Sequence, residues 1–600
     1  MNNNEKKSRS EISDEFKWNI SAMYPDESDV YKDVDSSKSL AEEVSNMQGH
    51  IMDSSFTLLK TMLLYSSSIR LIERAFVYSH MKHDEDNSDT RYVEMYSNVV
   101  AAYSEVAAAL SFIIPEISQA SASTIAEYID ELPDLEVYRF MLEEIIRKKD
   151  HLLNKDQEFI LASLHEILNS SDEIFSALND VDMNFGEIVD QDGNTMLLTH
   201  ATYIQFMQSQ DRNIRKKAYY KLYDEYKKLN TTISTMYSFN AKSDVITSKL
   251  RNYSSILESP LSSENIPISV YDNLIAAVHE HLPAMHKYVD IRKRVLGVDK
   301  LKMFDVYCPI TKNIEFNYSF DEALEIGCAA LSPLGESYVN TLKNGIKNEK
   351  WVDIYENQGK TSGAYSFGCY DSYPYILMNF TGDLRDVFTL VHEGGHSMHS
   401  YYTRKTQDYI YADHSIFTAE VASTVNETLL IKYLLKNCDD IEMKKYLINF
   451  YIDEFKSTLF RQTMFAEFEK IVHEHVWNGG ALTPEFLNKT YNDLNTLYFG
   501  PAMSEDDMIQ YEWSRIPHFY NSFYVYQYAT GYSAANAIAN RILNEGQPAV
   551  DDYLKFLTTG SSNYPIELLK IAGVDMSTEQ PVLSALDTFD QLVDELNNLL

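Results

Sequence analysis

Within DVFTLVHEGGHSMHS, residues 386–400, two histidines stand four positions apart, with a glutamate directly after the first: His392, Glu393 and His396. On a helix, such positions are offset by about 40° in projection and about 6 Å along the axis. Both imidazoles can therefore close on one cation from the same face. Two neutral nitrogens plus a carboxylate from elsewhere leave a fourth tetrahedral position for water, the arrangement of a catalytic zinc site. Zinc lowers the pKa of that water to about 7. Glu393, one residue round from His392 at the rim of the face, is placed to take its proton. The chemistry expected of this stretch is metal-assisted hydrolysis.

Three other His-Glu pairs, at 165–166, 279–280 and 473–474, lack a second His four residues after the first and read as ordinary helix-surface pairs. The flanks of 392–396 differ: Val387, Phe388, Leu390 and Val391 provide the burial that holds metal ligands still. Gly394 and Gly395 each cost about 1 kcal/mol in a helix relative to Ala, which a close approach of another backbone element at the metal would explain. The third ligand is sought in SIFTAEVASTVNETLLIKYLLK, a helix from Ser415 on which Glu420, Thr424 and Glu427 share one face while Val421, Val425, Leu429 and Leu430 point elsewhere. A carboxylate there is costly to bury unpaired, and a metal would compensate. Glu420 is the expected ligand, and Glu427 is the candidate for orienting a ligand histidine from behind. His399 is the rival third ligand, although an axial rise of about 10 Å from His392 is a long reach on one helix. Glu393-x-x-His396 also fits a carboxylate di-iron motif, but that needs a second copy on another helix, and none is found.

Two aromatic passages accompany the motif. GKTSGAYSFGCYDSYPYILMNFTG, residues 359–382, contains the most strand-like run of the chain, Tyr375 to Phe380. A strand so close before the metal helix is expected to lie beside the cleft as an unpaired edge, where an extended peptide can add by main-chain hydrogen bonds. RIPHFYNSFYVYQYATGY, residues 515–532, holds His518 and five tyrosines, a source of donors for a developing oxyanion or an aromatic packing stripe.

The rest of the chain must position these groups. Its 600 residues exceed one ordinary core, so two or more lobes are expected. Only 20 Gly and 15 Pro favour long helices over many-turned β architecture. A net charge of −37 argues against nucleic acid or an anionic membrane as partner. Four scattered cysteines make no disulfide framework and suit a reducing compartment. No secretory signal is visible in residues 1–18, and the most apolar run, Val106 to Ile114, is too short to span a bilayer. A cytoplasmic location is expected. The first ten or so residues are expected to be disordered. From about Ser39 to Asp180 the text is helical. At FGEIVDQDGNTMLLT, residues 185–199, the period changes to that of a hairpin turning at Asp192-Gly193. A domain boundary is placed there, giving a helical region over 1–184 and a catalytic region over 185–600. Arg212 or Arg215 could bind a peptide carboxylate, although a solvated helix face is the better reading of that stretch.

HEGGHSMHS, with a TAEVASTVNE helix whose first Glu follows His392 by 28 positions, resembles oligoendopeptidase F, of the thimet-oligopeptidase group of zinc peptidases. GKTSGAYSFGCYDSYPYILMNF and RIPHFYNSFYVYQYATG are similar to its flanking motifs, so the resemblance covers about 185–590. It implies a mainly α, two-lobed, zincin-like fold around a deep substrate channel, with a small β-sheet next to the metal helix. It implies one zinc per chain, held by His392, His396 and Glu420, with Glu393 as base. His518 matches the family's downstream histidine, and Tyr526 and Tyr528 are the preferred candidates for its assisting tyrosine. Gly394, where the wider group often has Phe, fits the oligoendopeptidase F branch. The implied activity is a cytoplasmic endopeptidase for short peptides. An exopeptidase of dipeptidyl carboxypeptidase type and a non-catalytic peptide-binding protein remain as alternatives.

Overall fold

The computed structural model describes residues 6–190 and 193–600. It is mainly α-helical, with a two-stranded and a three-stranded sheet among the described residues. The chain forms two compact units, each assembled from three separate stretches. Met1–Leu152, Glu315–Leu430 and Ile538–Gly573 make the first. Leu153–Ile314, Ile431–Ala537 and Val574–Leu600 make the second. The division expected at 184/185 falls inside the second unit, because the hairpin there is a local feature packed on its own unit's long helix Arg212–Leu250.

In the first unit, helices Ser28–Ser45, Ser55–Glu85 and Thr90–Leu110 pack on one another. Each shows the spacing that buries one face, as with Val30, Val34, Ser37, Ala41 and Val44 of the first. Ser54 and Asp89 cap the second and third by accepting the N–H groups of Thr57 and Arg91. The helical stretch Thr90–Ile117 is long and apolar enough to cross a membrane, more than the run Val106 to Ile114 alone suggests. Here one of its faces is packed into the core of the unit.

The same core extends to the three-stranded sheet through Trp18, Tyr375 and Leu377. The strand order is Val352–Asp353, Tyr375–Leu377, Tyr365–Phe367, with Ile376 paired parallel to Val352 and antiparallel to Ser366. The expected strand from Tyr375 is therefore present but central, fully buried and paired on both sides. The edge strands are Val352–Asp353 and Tyr365–Phe367. Three consecutive buried residues, rather than an alternating pattern, mark a strand covered on both faces.

Buried Asp353 anchors the sheet. It accepts from Arg9 Nη1 at 2.8 Å, and Lys360 Nζ lies 2.7 Å from it while also donating to the carbonyls of Tyr355 and Met378. The disorder expected of the first ten residues thus does not extend to Arg9, which this ion pair holds; residues 1–5 lie outside the described residues.

In the second unit, Glu187–Val189 pairs antiparallel with Thr195–Leu197, as the hairpin reading expects, with Gly193 at φ +85°. Residues 191–192 of the expected turn lie outside the described residues. Arg215 is buried and Arg212 is partly exposed, and both pair with fully buried Asp305, at 2.7 and 2.8 Å. An unpaired carboxylate at that depth would be costly, so it holds both guanidinium groups.

Candidate active site

The motif lies on helix Leu384–Thr406. Asp383 starts the helix by accepting the Asp386 N–H at 2.9 Å, and the Asp386 carboxylate accepts in turn from the N–H groups of Thr381 and Gly382. Val387, Phe388, Leu390 and Val391 are buried, as the pattern requires. Helix Ile416–Lys436 runs against it, with Val421, Ala422, Val425 and Leu430 buried. The close approach anticipated from the glycines occurs at Gly395, where an added Cβ would meet Ser423 Cα at 2.6 Å and the Ala422 oxygen at 2.7 Å. Gly394 faces only the methyl groups of Leu342, at 3.4 Å. Asn426 Nδ2 ties the two helices by donating to the Val391 carbonyl at 2.9 Å.

This contact brings three ligand atoms together. His392 Nε2 and His396 Nε2 are 3.2 Å apart, and Glu420 Oε2 is 3.4 and 3.3 Å from them. The tetrahedral edge for bonds of about 2.0–2.1 Å is about 3.3 Å, so two imidazoles and one carboxylate at this spacing fit zinc. Among the described residues no other cluster of three metal-ligating side chains comes as close. His399 takes no part: it is 2% exposed, with its ring 3.6 Å from that of His414 and 5.3 Å from that of Phe556. Seven residues of helical rise carry it past the point where the other two converge.

Glu427 Oε1 lies 3.2 Å from His392 Nδ1, leaving Nε2 to face the cluster. Burial pulls the His392 pKa down, but contacts with Glu420 and Glu427 outweigh it and raise it well above the usual range. Burial works to raise the Glu420 carboxyl, yet hydrogen bonds from the two imidazoles hold it well below the usual carboxylate range. An anionic pocket of this kind is what a divalent cation neutralises. Glu393 is 7% exposed; burial raises its pKa, although both imidazoles and the Ser366 backbone N–H favour its charged form.

These groups line a cavity of about 1080 Å³ within the first unit. One wall is the edge strand Tyr365–Phe367, fastened to the motif helix by a 2.8 Å contact between the Ser366 and Ser397 hydroxyls. Sequence reasoning assigned an edge position to the wrong strand because both are short and aromatic.

His518, exposed on the turn Pro517–Tyr520, belongs to the second unit. Tyr528 Oη is 3.4 Å from its Nε2, and the Tyr524 ring lies 6.2 Å from the imidazole and 5.3 Å from the Tyr528 ring. Tyr526 does not share this surface. Its ring is 2% exposed and packs 5.1 Å from that of Tyr271, so it serves the core. Tyr524 was the less visible partner; its four-residue spacing from Tyr528 is the signal that could have found it.

Comparison with known proteins agrees with this chemistry. Residues 205–588 match the family described as Peptidase family M3, and residues 116–185 match an Oligopeptidase F family. Oligopeptidase PepF of Bacillus subtilis (strain 168) is 42% identical over 99% of this chain and 88% of its own. The crystal structure of oligoendopeptidase-F from Enterococcus faecium is 36% identical, covers 96% of this chain and 98% of that one, and has a TM-score of 0.72. A crystal structure from Chlamydophila abortus, 38% identical, covers 99% of this chain and all of that one, with a TM-score of 0.93. Matched to the family over well over half its length, and to relatives this similar over nearly all of it, the chain belongs to peptidase family M3, whose members are metallopeptidases, and it hydrolyses peptide bonds.

Proposed function

We propose that the protein is a zinc endopeptidase that cuts internal bonds of short oligopeptides. The triangle of His392 Nε2, His396 Nε2 and Glu420 Oε2, 3.2–3.4 Å on a side, carries this reading. One zinc ion per chain, held by these three atoms, would supply Lewis acidity and water with a pKa near 7. Glu393 is the base: its carboxylate accepts a proton from the attacking water and returns it to the leaving amine. Its burial, which raises its pKa, suits a group that must both take and give a proton. Glu427 keeps His392 in the tautomer that presents Nε2. The outer edge of Tyr365–Phe367 offers an extended peptide a strand to lie against. The family resemblance assigns oxyanion stabilisation to His518 and a tyrosine, and we carry that role to Tyr528. The four free cysteines support a cytoplasmic location.

The test combines metal analysis with an end-blocked, internally quenched peptide. Wild type should contain one zinc and cut the peptide, whereas Glu393→Gln should keep the metal and lose turnover. An exopeptidase would leave the blocked peptide intact, and unchanged activity in Glu393→Gln would exclude this base.

A further inference from the structure

Beyond the zinc ligands, the cavity wall carries a cation to which no described residue is hydrogen-bonded. Arg404 lies on the motif helix, eight residues past His396, and lines the same cavity. It is partly exposed there, and its guanidinium makes no hydrogen bond or ion pair with any described residue; Nη1 is enclosed without a partner. A guanidinium has five donors and a permanent charge, and leaving it unpaired out of bulk water is costly. Two acids lie near enough for their charge to favour the guanidinium, but neither forms a hydrogen bond or ion pair with it. Glu73 accepts from the Tyr409 hydroxyl at 2.9 Å, and Asp413 accepts from the His414 N–H at 2.9 Å. The Cys369 thiol, pushed up to about 11 by burial, stays neutral and is no counter-ion.

The position of this cation is defined by the edge strand. Gly368 follows Tyr365–Phe367 directly, and a Cβ on it would lie 2.9 Å from Arg404 Nη1. The missing side chain leaves room for the guanidinium at the strand's end. Along the helix Arg404 stands about 12 Å beyond His396. An extended peptide covers that span in about three or four residues.

Resting on the reading that a peptide lies against this strand, we propose that Arg404 is a subsite for a peptide carboxylate about three or four residues from the cleaved bond. The carboxylate is either the C-terminus or an Asp or Glu side chain, and the planar guanidinium takes it through two parallel hydrogen bonds. A chain-end carboxylate held there would fix where a short peptide is cut.

The experiment uses one internally quenched sequence in several forms. The reference is amidated at its C-terminus and carries Gln about four residues to each side of the cleaved bond. The others replace either Gln by Glu, or end in a free carboxylate at that distance. In wild type, at least one carboxylate form should exceed the reference in kcat/KM by about tenfold or more, mainly through KM. The form that does so identifies the source. In Arg404→Gln this ratio should fall to about one, with Arg404→Lys between. A ratio near one for every form in wild type, or a ratio that survives in Arg404→Gln, overturns the proposal. If Arg404→Gln fails to fold, an undiminished ratio in Arg404→Lys overturns it and a reduced one supports it. Chelator-sensitive cleavage of the reference by wild type tests the peptidase reading separately.

Discussion

The Cα of Ser423 occupies the place where a side chain on Gly395 would have to go. A Cβ built on Gly395 lies 2.6 Å from it and 2.8 Å from the Ser423 nitrogen. Two helices thus touch backbone to backbone one residue before His396 and three after Glu420, which lets a carboxylate from one reach imidazoles on the other. Gly395→Ala should push the helices apart and lower zinc affinity at least about tenfold, since displaced ligands lose the spacing the metal needs. Gly394→Ala meets only flexible methyl groups and removes a helix-interior glycine worth about 1 kcal/mol, so it should keep zinc and melt no lower than wild type. Zinc titration and thermal melts of the two variants check the contrast.

Glu427 reaches the metal centre only through His392 Nδ1. Glu427→Gln should therefore weaken zinc binding by about 10- to 100-fold without unfolding the protein. Competition against a chelator of known affinity measures the loss. His399→Gln is the control: outside the cluster, it should leave zinc affinity within about threefold of wild type, whereas loss of a true ligand costs far more.

The tyrosines of the His518 segment separate by burial. Tyr528→Phe should lower kcat by about 10- to 1000-fold with little change in KM, as expected for a donor used mainly in the transition state. Tyr526→Phe, altered inside a packed core, should change kcat less than about twofold, any effect appearing in the melting temperature. Equal effects on kcat would remove the distinction.

Asp353 links stability of the first unit to pH. Burial works to raise its pKa, but Arg9 and Lys360 hold it below the ordinary 3.8. A folded pKa below the unfolded one means stability that is present above about pH 4 and lost as pH falls through the folded value. The depressed pKa of Lys360, due mainly to burial, acts at alkaline pH and leaves this acid window alone. Asp353→Asn takes the carboxylate from buried Lys360, while Arg9 keeps Glu85 at 3.1 Å, and should cost about 3–5 kcal/mol at pH 7. The deficit should shrink as pH falls below about 4, where the unfolded carboxylate takes up a proton that the folded one resists. Thermal midpoints of both proteins between pH 3 and 7 check this.

Much of the active site could be read before any coordinates. A four-residue histidine spacing implies a shared helical face whatever lies around it, and the faces of the Glu420 helix follow from the same periodicity. The two glycines announced a close approach, although only contact with another element could say that Gly395 needs it and Gly394 does not. The sheet was harder. Tyr375–Leu377 and Tyr365–Phe367 are both short and aromatic, and which one keeps a free edge depends on a third strand, Val352–Asp353, that joins from earlier in the chain. Arg404 was passed over because a lysine follows it in a polar, tyrosine-rich stretch that reads as surface.

What the amino-acid order alone determined is the local chemistry: helical character, the imidazole pair, the base beside it and the carboxylates on one face of a later helix. These depend on backbone periodicity and nearest neighbours along the chain. Tertiary structure decided which groups have partners. It gave Arg212 and Arg215 to Asp305, buried Tyr526 against Tyr271, and left Arg404 without a hydrogen bond at the end of the edge strand. Desolvation and pairing are set by residues distant in sequence, so the difference between a structural charge and one available to a ligand emerges only when the chain is folded.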